Sequence, residues 1–303
     1  MILVIFVKIT LFSLMRLIPI LLSSFVMAGA ILLQSCGPKY SFDLDQHLGI
    51  CGTGHAEAAR AAGLDYLEAN VTGFLMPESS DEEFAANKAL AATIQPPIYS
   101  ANGFFPGDIK VVGPEADIDR AVKYSETALR RAAEIGIKIL VLGSSGSRNI
   151  PEGFSPEEAR EQFIGFLKRI APAAEKNGVI VALEPLQTSE SNFINTVPEG
   201  AQIARETGSD FICVIADLFH MARMKEPPED IVTSADKLVH CHIAEVEERT
   251  APGVKGDDFT PYLKALKNIR YEGRMSFECS WQDIGAQLPK AVETMREQIQ
   301  SIK

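Results

Sequence analysis

Residues 179–186 read VIVALEPL, an apolar run that ends on a carboxylate, Glu184, followed by proline. The run is short and rich in β-branched residues, which favours a buried β-strand. Three later runs share this pattern, and each reaches a side chain that binds hard metal ions near its end. They are FICVIADLFH (211–220) with Asp217, LVHCHIAE (238–245) with His242 and RMSFECSW (274–281) with Glu278.

The spacing of these four residues indicates a repeating unit. They lie 33, 25 and 36 positions apart, close to the roughly 30 residues of a βαβ unit. Eight strands are predicted in all, at 47–51, 65–70, 98–102, 137–143, 179–186, 211–217, 238–243 and 274–279. Short apolar strands that alternate with helices predict α/β class, here a single (β/α)8 TIM barrel over residues 45–303.

Helix signals between the strands support this prediction. The clearest amphipathic helix is expected over 117–135, with alanine, isoleucine and leucine on one face and arginine and lysine on the other. Ser155 precedes Pro156 and two glutamates, a pattern typical of a helix N-terminus. In a TIM barrel, functional side chains gather at the C-terminal ends of the strands. The four residues are therefore expected to meet.

The first 36 residues are predicted to be a lipoprotein signal peptide. Lys8 and Arg16 are the only charged residues before an apolar run at 17–33, and the run leads into Leu33-Gln-Ser-Cys36. This tetrad resembles the bacterial site at which the cysteine is lipidated and becomes the mature N-terminus. Cys36 is therefore a candidate lipidation site.

Two alternatives concern the same segment. Met15 is a possible true start, and the apolar run is near the length that spans a bilayer, so an uncleaved anchor is the alternative to lipidation. In both cases residues 37–44 form a tether. The domain is expected outside the cytoplasm, on a membrane facing the periplasm or at the cell surface.

The charge argues against a nucleic-acid-binding protein, and the positions of the cysteines argue against a disulfide framework. The net charge is −11 and the pI is near 5.0, which argues against a nucleic acid partner. Cys51, Cys213, Cys241 and Cys279 all fall in strand-like apolar runs, where a thiol packs as a small apolar group. Alternation along the strand points Cys241 away from the face that His240 and His242 share.

Three carboxylates and one imidazole form a mostly oxygen donor set. Such a set suits Mn²⁺, Mg²⁺ or Co²⁺ better than the sulfur-rich or three-imidazole sets typical of Zn²⁺, which remains an alternative. One divalent ion, Mn²⁺ first, is predicted as the cofactor. Two open coordination positions would let a hydroxy-carbonyl compound bind, and a nearby carboxylate could then remove the proton next to the carbonyl to give an enediolate.

Four ordered motifs resemble the xylose-isomerase-like barrels of the sugar isomerase/epimerase superfamily, most of all the ketose 3-epimerase branch. They are Glu184-Pro-Leu, Asp217-Leu-Phe-His220, His240-Cys-His242-Ile-Ala-Glu245 and Ser276-Phe-Glu278. The resemblance implies that Glu184, Asp217, His242 and Glu278 bind the metal. It also implies that Glu184 and Glu278 face the substrate carbon from opposite sides, one taking a proton and the other returning it.

The resemblance further implies substrate contacts. His220 and Glu190 match positions that contact substrate oxygens or orient metal ligands; the alternatives are a helix-start histidine and a solvated loop acid. The epimerase-like pattern has an arginine six residues after the metal histidine, where this chain has Glu248 and then Arg249. Arg249 is therefore a candidate for the substrate contact that this arginine would make. Arg148 is a second candidate for the same contact, and the alternative is that it pairs with a surface acid.

The leading hypothesis is a metal-dependent sugar isomerase or epimerase. The alternatives are elimination from a 3-keto-glycoside on the same site and a lipid-anchored sugar-binding protein without turnover. Inosose dehydratases and hydroxypyruvate isomerases share the four-ligand scheme, whereas abasic-DNA endonucleases of this superfamily need more histidines than the five of this chain. A free sugar or glycoside is the expected partner, and a homo-oligomer is possible.

Overall fold

The computed structural model describes residues 40–303. Its centre is a closed barrel of eight parallel strands in sequential order, from β1 to β8 and back to β1. The strands are β1 Leu48–Cys51, β2 Tyr66–Asn70, β3 Ile98–Asn102, β4 Ile139–Leu142, β5 Ile180–Leu183, β6 Ile212–Asp217, β7 Leu238–Ile243 and β8 Arg274–Phe277. The predicted TIM barrel is confirmed.

Helices follow the strands and pack around the sheet. They are α1 Ala56–Ala61, α2 Asp81–Ala91, α3 Ile118–Glu134, α4 Ser145–Arg148, α5 Pro156–Asn177, α6 Val197–Thr207, α7 Leu218–Met224, α8 Glu229–Thr233, α9 Thr260–Asn268 and α10 Ile284–Ser301. In the range 40–303 no helix combines the length and apolarity needed to cross a bilayer.

The helix ends follow the local sequence signals. The backbone N–H of Arg120 donates to Oδ1 of Asp117 at 3.0 Å, which caps α3 where its N-terminus is predicted. Ser155 caps α5 in the same way, through the N–H of Glu158 at 3.2 Å. α5 ends at Gly178, whose φ of 63° is left-handed.

The hydrophobic core has two parts. The larger lies between the strands and the helices, and a small separate cluster lies inside the barrel, formed by Ile139, Val141, Ala182 and Ile215. Side chains two residues apart on a strand share a face. Glu184 and Asp217 therefore continue the interior face of Ala182 and Ile215 to the mouth of the barrel.

The folded unit begins before the boundary predicted at residue 45. Phe42 and Leu44 are buried in the core, and Tyr40 packs against it. Residues 40–44, predicted as part of the 37–44 tether, therefore belong to the domain, because their apolar side chains bury against it. The predicted signal peptide, with Cys36, lies outside the described residues.

Candidate metal centre and active site

Four consecutive strands deliver the predicted metal ligands. Glu184 directly follows β5, Asp217 ends β6, His242 is the last residue but one of β7, and Glu278 directly follows β8. One carboxylate oxygen of each acid and a ring nitrogen of His242 all lie within 4.8 Å of one another. The structure therefore brings together side chains that are separated by up to 94 residues of sequence.

The ring of His242 has two distinct sides. Its Nδ1 lies 3.2 Å from Oε1 of Glu184 and 3.0 Å from Oε2 of Glu278. Its Nε2 lies 2.9 Å from Oε1 of Glu68, a fully buried residue of β2. An ionised carboxylate only accepts hydrogen bonds, so Nε2 carries a hydrogen and Nδ1 is the nitrogen available to a metal.

Glu68 lies at the centre of a buried polar network that sequence reasoning missed. Its Oε2 lies 2.9 Å from Nε2 of His240 and accepts from the hydroxyls of Ser100 at 2.8 Å and Ser276 at 2.6 Å. Burial alone would raise the pKa of Glu68, but His242 and His240 outweigh it and hold that pKa well below its usual value. Glu68 is therefore ionised and fixes the orientation of both rings.

A sequence signal for Glu68 existed. It is a charged residue inside the apolar run 65–70, and such a residue needs buried partners. Glu68 was missed because it lies in the middle of β2, one layer below the barrel mouth, whereas the predicted ligands lie at or near the ends of strands. His240 lies in this layer, as expected for a barrel-interior histidine.

The two proposed proton-transfer acids have opposite pKa shifts. Burial, and then the nearby charge of Glu278, raises the pKa of Glu184. Burial also acts on Glu278, but His242 and Arg249 outweigh it and lower its pKa to about 2. The amide of Asn102 donates to Oε1 of Glu278 at 2.8 Å. Paired carboxyl groups with separated pKa values are typical of acid and base roles.

Arg249 reaches the site despite its shifted position in sequence. Its Nη2 lies 3.2 Å from Oδ2 of Asp217 and forms a short ion pair with Glu278, while its guanidinium stacks 4.6 Å above the ring of Phe219. Glu248 and Arg249 have φ values of 58° and 54°. The loop is left-handed at these two residues, and the side chain of Arg249 reaches the barrel mouth.

His220 and Glu190 lie at the edge of the same site. Nε2 of His220 is 3.4 Å from Oδ2 of Asp217 and 4.0 Å from Oε2 of Glu190. Nδ1 of His220 accepts from the backbone N–H of Gln187 at 3.3 Å, so its Nε2 carries the hydrogen. The side chain of Gln187 donates to Glu190 at 2.7 Å. Both predicted residues line the cavity; their contact with substrate stays a prediction.

Arg148 is not brought to the cavity. It is fully buried, and its guanidinium donates to the backbone oxygens of Leu142 at 3.3 Å and Glu184 at 2.7 Å. It therefore does not pair with a surface acid, and its side chain lies behind Glu184 instead of facing the substrate space. From this buried position, Arg148 fixes the backbone of Glu184 through the hydrogen bond to its carbonyl oxygen.

A cavity of about 460 Å³ opens at the barrel mouth beside Glu184 and Glu278. Uncharged groups of β2 to β4 and their loops line one side, among them Asn70, Asn102 and Ser144; Glu184, Glu278 and Arg249 line the other. Gly143 is essential to this shape, since a Cβ there would overlap the carboxylate of Glu184. The volume is within the range of small-molecule sites.

The donor set fits a divalent cation. Asp217, Glu184 and Glu278 offer oxygens, the Glu68 contact leaves Nδ1 of His242 free, and Gly143 leaves room for the carboxylate of Glu184. Oxygen-rich sets with one imidazole are typical of Mn²⁺, Mg²⁺ or Co²⁺. These residues could therefore hold one such ion.

Known proteins share this architecture. The xylose isomerase-like TIM barrel family matches residues 56–303. The 3-dehydro-D-guloside 4-epimerase of Escherichia coli is 26% identical over 71% of this chain and 82% of its own length, and the D-psicose 3-epimerase of Agrobacterium fabrum is 26% identical over 74% and 78%. These relatives are sugar epimerases.

Solved structures agree in fold. The 3-keto-D-glucoside 4-epimerase of Escherichia coli superposes with a TM-score of 0.70 at 21% identity, over 83% of this chain and 99% of its own. The IolI protein with a bound zinc atom gives a TM-score of 0.65 at 17% identity, over 84% and 97%. At sequence identities this low, the similarity shows a shared fold and nothing further.

Proposed function

The chain belongs to the xylose isomerase-like TIM barrel family, and on this premise we propose that it is a sugar epimerase or isomerase dependent on one divalent ion, Mn²⁺ first. One observation carries the proposal: Glu184, Asp217, His242 and Glu278 converge within 4.8 Å at the barrel mouth. A bound ion would supply Lewis-acid polarisation of a substrate carbonyl.

The protein residues would then handle the proton. Glu278, ionised by its low pKa, takes the proton from the carbon next to the carbonyl. The C–H electron pair forms the carbon–carbon double bond, and the π pair of the carbonyl moves onto its oxygen to give an enediolate. Glu184, with its raised pKa, returns a proton to the opposite face of that carbon, which gives the epimer. Return to the neighbouring carbon would give an isomer.

The charges of the cavity favour a neutral sugar. Among the described residues that line it, three are carboxylates, Glu184, Glu190 and Glu278, and one is a guanidinium, Arg249. The +2 of the proposed ion would offset the remaining negative charge, so no excess positive charge is left to attract a phosphorylated or acidic substrate. Free ketoses fit this class, and so do the 3-keto-glycosides suggested by the name of the Escherichia coli 4-epimerase relative.

A second outcome on the same site is elimination. A 3-keto-glycoside that loses the proton from the carbon between its carbonyl and its anomeric carbon can expel the aglycone as an alcohol, with Glu184 giving its proton to the leaving oxygen instead of to carbon. The Escherichia coli relative named for a 3-dehydro-D-guloside supports this candidate, because such a substrate carries the carbonyl that elimination requires.

Deuterium exchange tests the proposal. The purified protein with Mn²⁺ is incubated in D₂O with D-psicose or with a methyl 3-keto-glucoside, and the products are followed by NMR. Epimerisation gives the epimer labelled at the inverted carbon, whereas elimination releases methanol. Sugar binding without label in any substrate would support the rival, a sugar-binding protein without turnover.

Export is a separate proposal that the Leu33–Cys36 tetrad supports. Mass spectrometry of the mature N-terminus should find a lipid on Cys36, and Cys36→Ala should release the protein from membranes. An unmodified, uncleaved N-terminus would favour the anchor alternative. A homo-oligomer also stays a prediction, for which light scattering is the direct measurement.

A further inference from the structure

The carboxylate of Glu245 lies two residues beyond β7, fully buried, and is surrounded by hydrogen-bond donors. Five donors converge on it at 2.6 to 3.3 Å, and all of them are uncharged. They are the hydroxyl of Thr250 and the backbone N–H groups of Gly253, Lys255, Gly256 and Asp257. A buried carboxylate needs such partners.

All five donors come from one loop, residues 246–257. The backbone N–H of Glu245 also donates to the carbonyl of Thr250 at 2.8 Å, so both the side chain and the main chain of this residue hold the loop. Burial would raise the pKa of Glu245, but the amides of Lys255 and Gly256 and the other donors outweigh it and lower that pKa. The loop is therefore folded around an ionised carboxylate.

The same loop carries Arg249 to the barrel mouth. Glu248 and Arg249 are both left-handed, a conformation that residues with a side chain keep only when their surroundings hold it. From this turn, Nε of Arg249 donates to the carbonyl of Glu278 at 3.0 Å, and the guanidinium pairs with Asp217 and Glu278. Glu245 itself does not line the cavity.

We infer that Glu245 is a positioning residue for the proposed reaction: it folds the 246–257 loop around its carboxylate and so sets Arg249 against Asp217 and Glu278. The expected effect of Glu245 on the kinetics rests on the proposed function. The expected effect of Glu245 on the fold of the loop is independent of that function.

The decisive variant is Glu245→Gln. The amide keeps the size of the side chain, but its NH₂ group would face backbone N–H groups, so the loop should open and release Arg249. Limited trypsin digestion of the purified full chain should then cut after Arg249 at least about tenfold faster, as read by mass spectrometry, because cleavage follows the population of the open loop. Hydrogen exchange at Gly253, Lys255 and Gly256 should accelerate in parallel.

Glu247→Gln is the matched control. Glu247 lies on the same loop, its side chain is 67% exposed, and within residues 40–303 that side chain pairs with Lys255 alone. Its substitution should leave digestion, exchange and kinetics unchanged. Thr250→Val, which removes one of the five donors, should shift the same readouts in the same direction by less, and it replaces Glu245→Gln if that variant does not fold.

Kinetics and metal binding separate positioning from general damage. Glu245→Gln should raise KM for the sugar by about tenfold, the scale expected when a supporting contact of a site is lost. Mn²⁺ affinity measured by calorimetry should change by less than KM does, because all four ligands remain in place. Adding Glu245→Gln to Arg249→Ala should have no further effect on KM, because the arginine is already absent.

Unchanged trypsin cleavage and amide exchange in a folded Glu245→Gln protein would overturn the inference. Additive effects of the two substitutions on KM would do the same. If the wild-type protein proves to have no epimerase activity, the proposed function fails, and the digestion and exchange data still decide the role of Glu245.

Discussion

The two halves of the barrel mouth differ in chemistry. β5 to β8 supply three carboxylates and an imidazole at one point. In the described part of the chain, the β2 to β4 side of the cavity is lined by uncharged residues, including Asn70, Asn102 and Gly143. Charge for the ion and the proton is thus concentrated on one half, and space and neutral hydrogen-bonding groups for a sugar on the other.

Beneath the surface the halves are connected. Glu68 of β2 hydrogen-bonds both histidines of β7, and Asn102 of β3 donates to Glu278. The neutral half therefore also orients the ligands of the charged half. Substitutions on each side can show how far this division of roles holds.

The largest effect is expected on the charged half. Glu278→Gln should lower proton exchange into the sugar by a factor on the order of 10³, because the amide cannot take a proton. NMR in D₂O measures the rate. Mn²⁺ binding should weaken less than in Asp217→Ala, which loses a ligand outright.

Glu272→Gln is the matched control for Glu278→Gln. Glu272 is exposed and lies near the opposite end of β8, so exchange should be unchanged. Near-normal exchange in Glu278→Gln would remove this residue from the proton-transfer role and break the proposed acid and base pair.

Beneath the uncharged lining of β2 to β4, Glu68→Gln should lower Mn²⁺ affinity by about 10- to 100-fold. One amide cannot accept from both histidine rings, so the orientation of His242 is lost. Calorimetry gives the affinity, and thermal unfolding checks that the barrel remains folded. Ser100→Ala, which removes one donor to Glu68, is the milder control.

Gly143→Ala tests the space that the neutral half provides. The added Cβ would overlap the carboxylate of Glu184, so that side chain must move and Mn²⁺ affinity should fall by about tenfold, as for other contacts supporting a ligand. Gly165→Ala is the control, since Gly165 is exposed in α5 with nothing near a built Cβ. It should raise the free energy of unfolding by about 0.5–1 kcal/mol. Equal Mn²⁺ affinity in Gly143→Ala and Gly165→Ala would contradict the assigned role of Gly143.

The smallest effect concerns pH. Burial would lower the pKa of His242, but Glu68 and Glu278 outweigh it and raise that pKa well above its usual value. A metal must therefore compete with a proton for His242 up to a higher pH than at a free imidazole, and Mn²⁺ affinity should rise with pH in a window above about 6.5.

Calorimetry in two buffers of different ionisation enthalpy counts the protons released, about one per ion from this ring. Metal content that stays constant down to about pH 4, well below the pKa of a free imidazole, would argue against His242 as a ligand.

Much of the site followed from strand-end patterns. Glu184, Asp217, His242 and Glu278 each stood out because a charged or metal-binding residue interrupts an apolar run, and the barrel fold fixes where strand ends meet. Arg148 shows the limit of this reasoning. It follows a strand as a binding residue would, but from the short helix α4 it faces inward to the backbone of Glu184, and this direction is set by packing that no local pattern encodes.

The sequence by itself determined the strand and helix periodicity, the helix caps and the order of the four ligand candidates, because these depend on neighbours within one or two turns of chain. Only the tertiary structure decided that Glu68 orients His242, that Gly143 must lack a side chain and that Glu245 gathers the loop of Arg249. The physical reason is that these contacts join groups from different strands or across a folded loop, and their distances exist only once the barrel has closed.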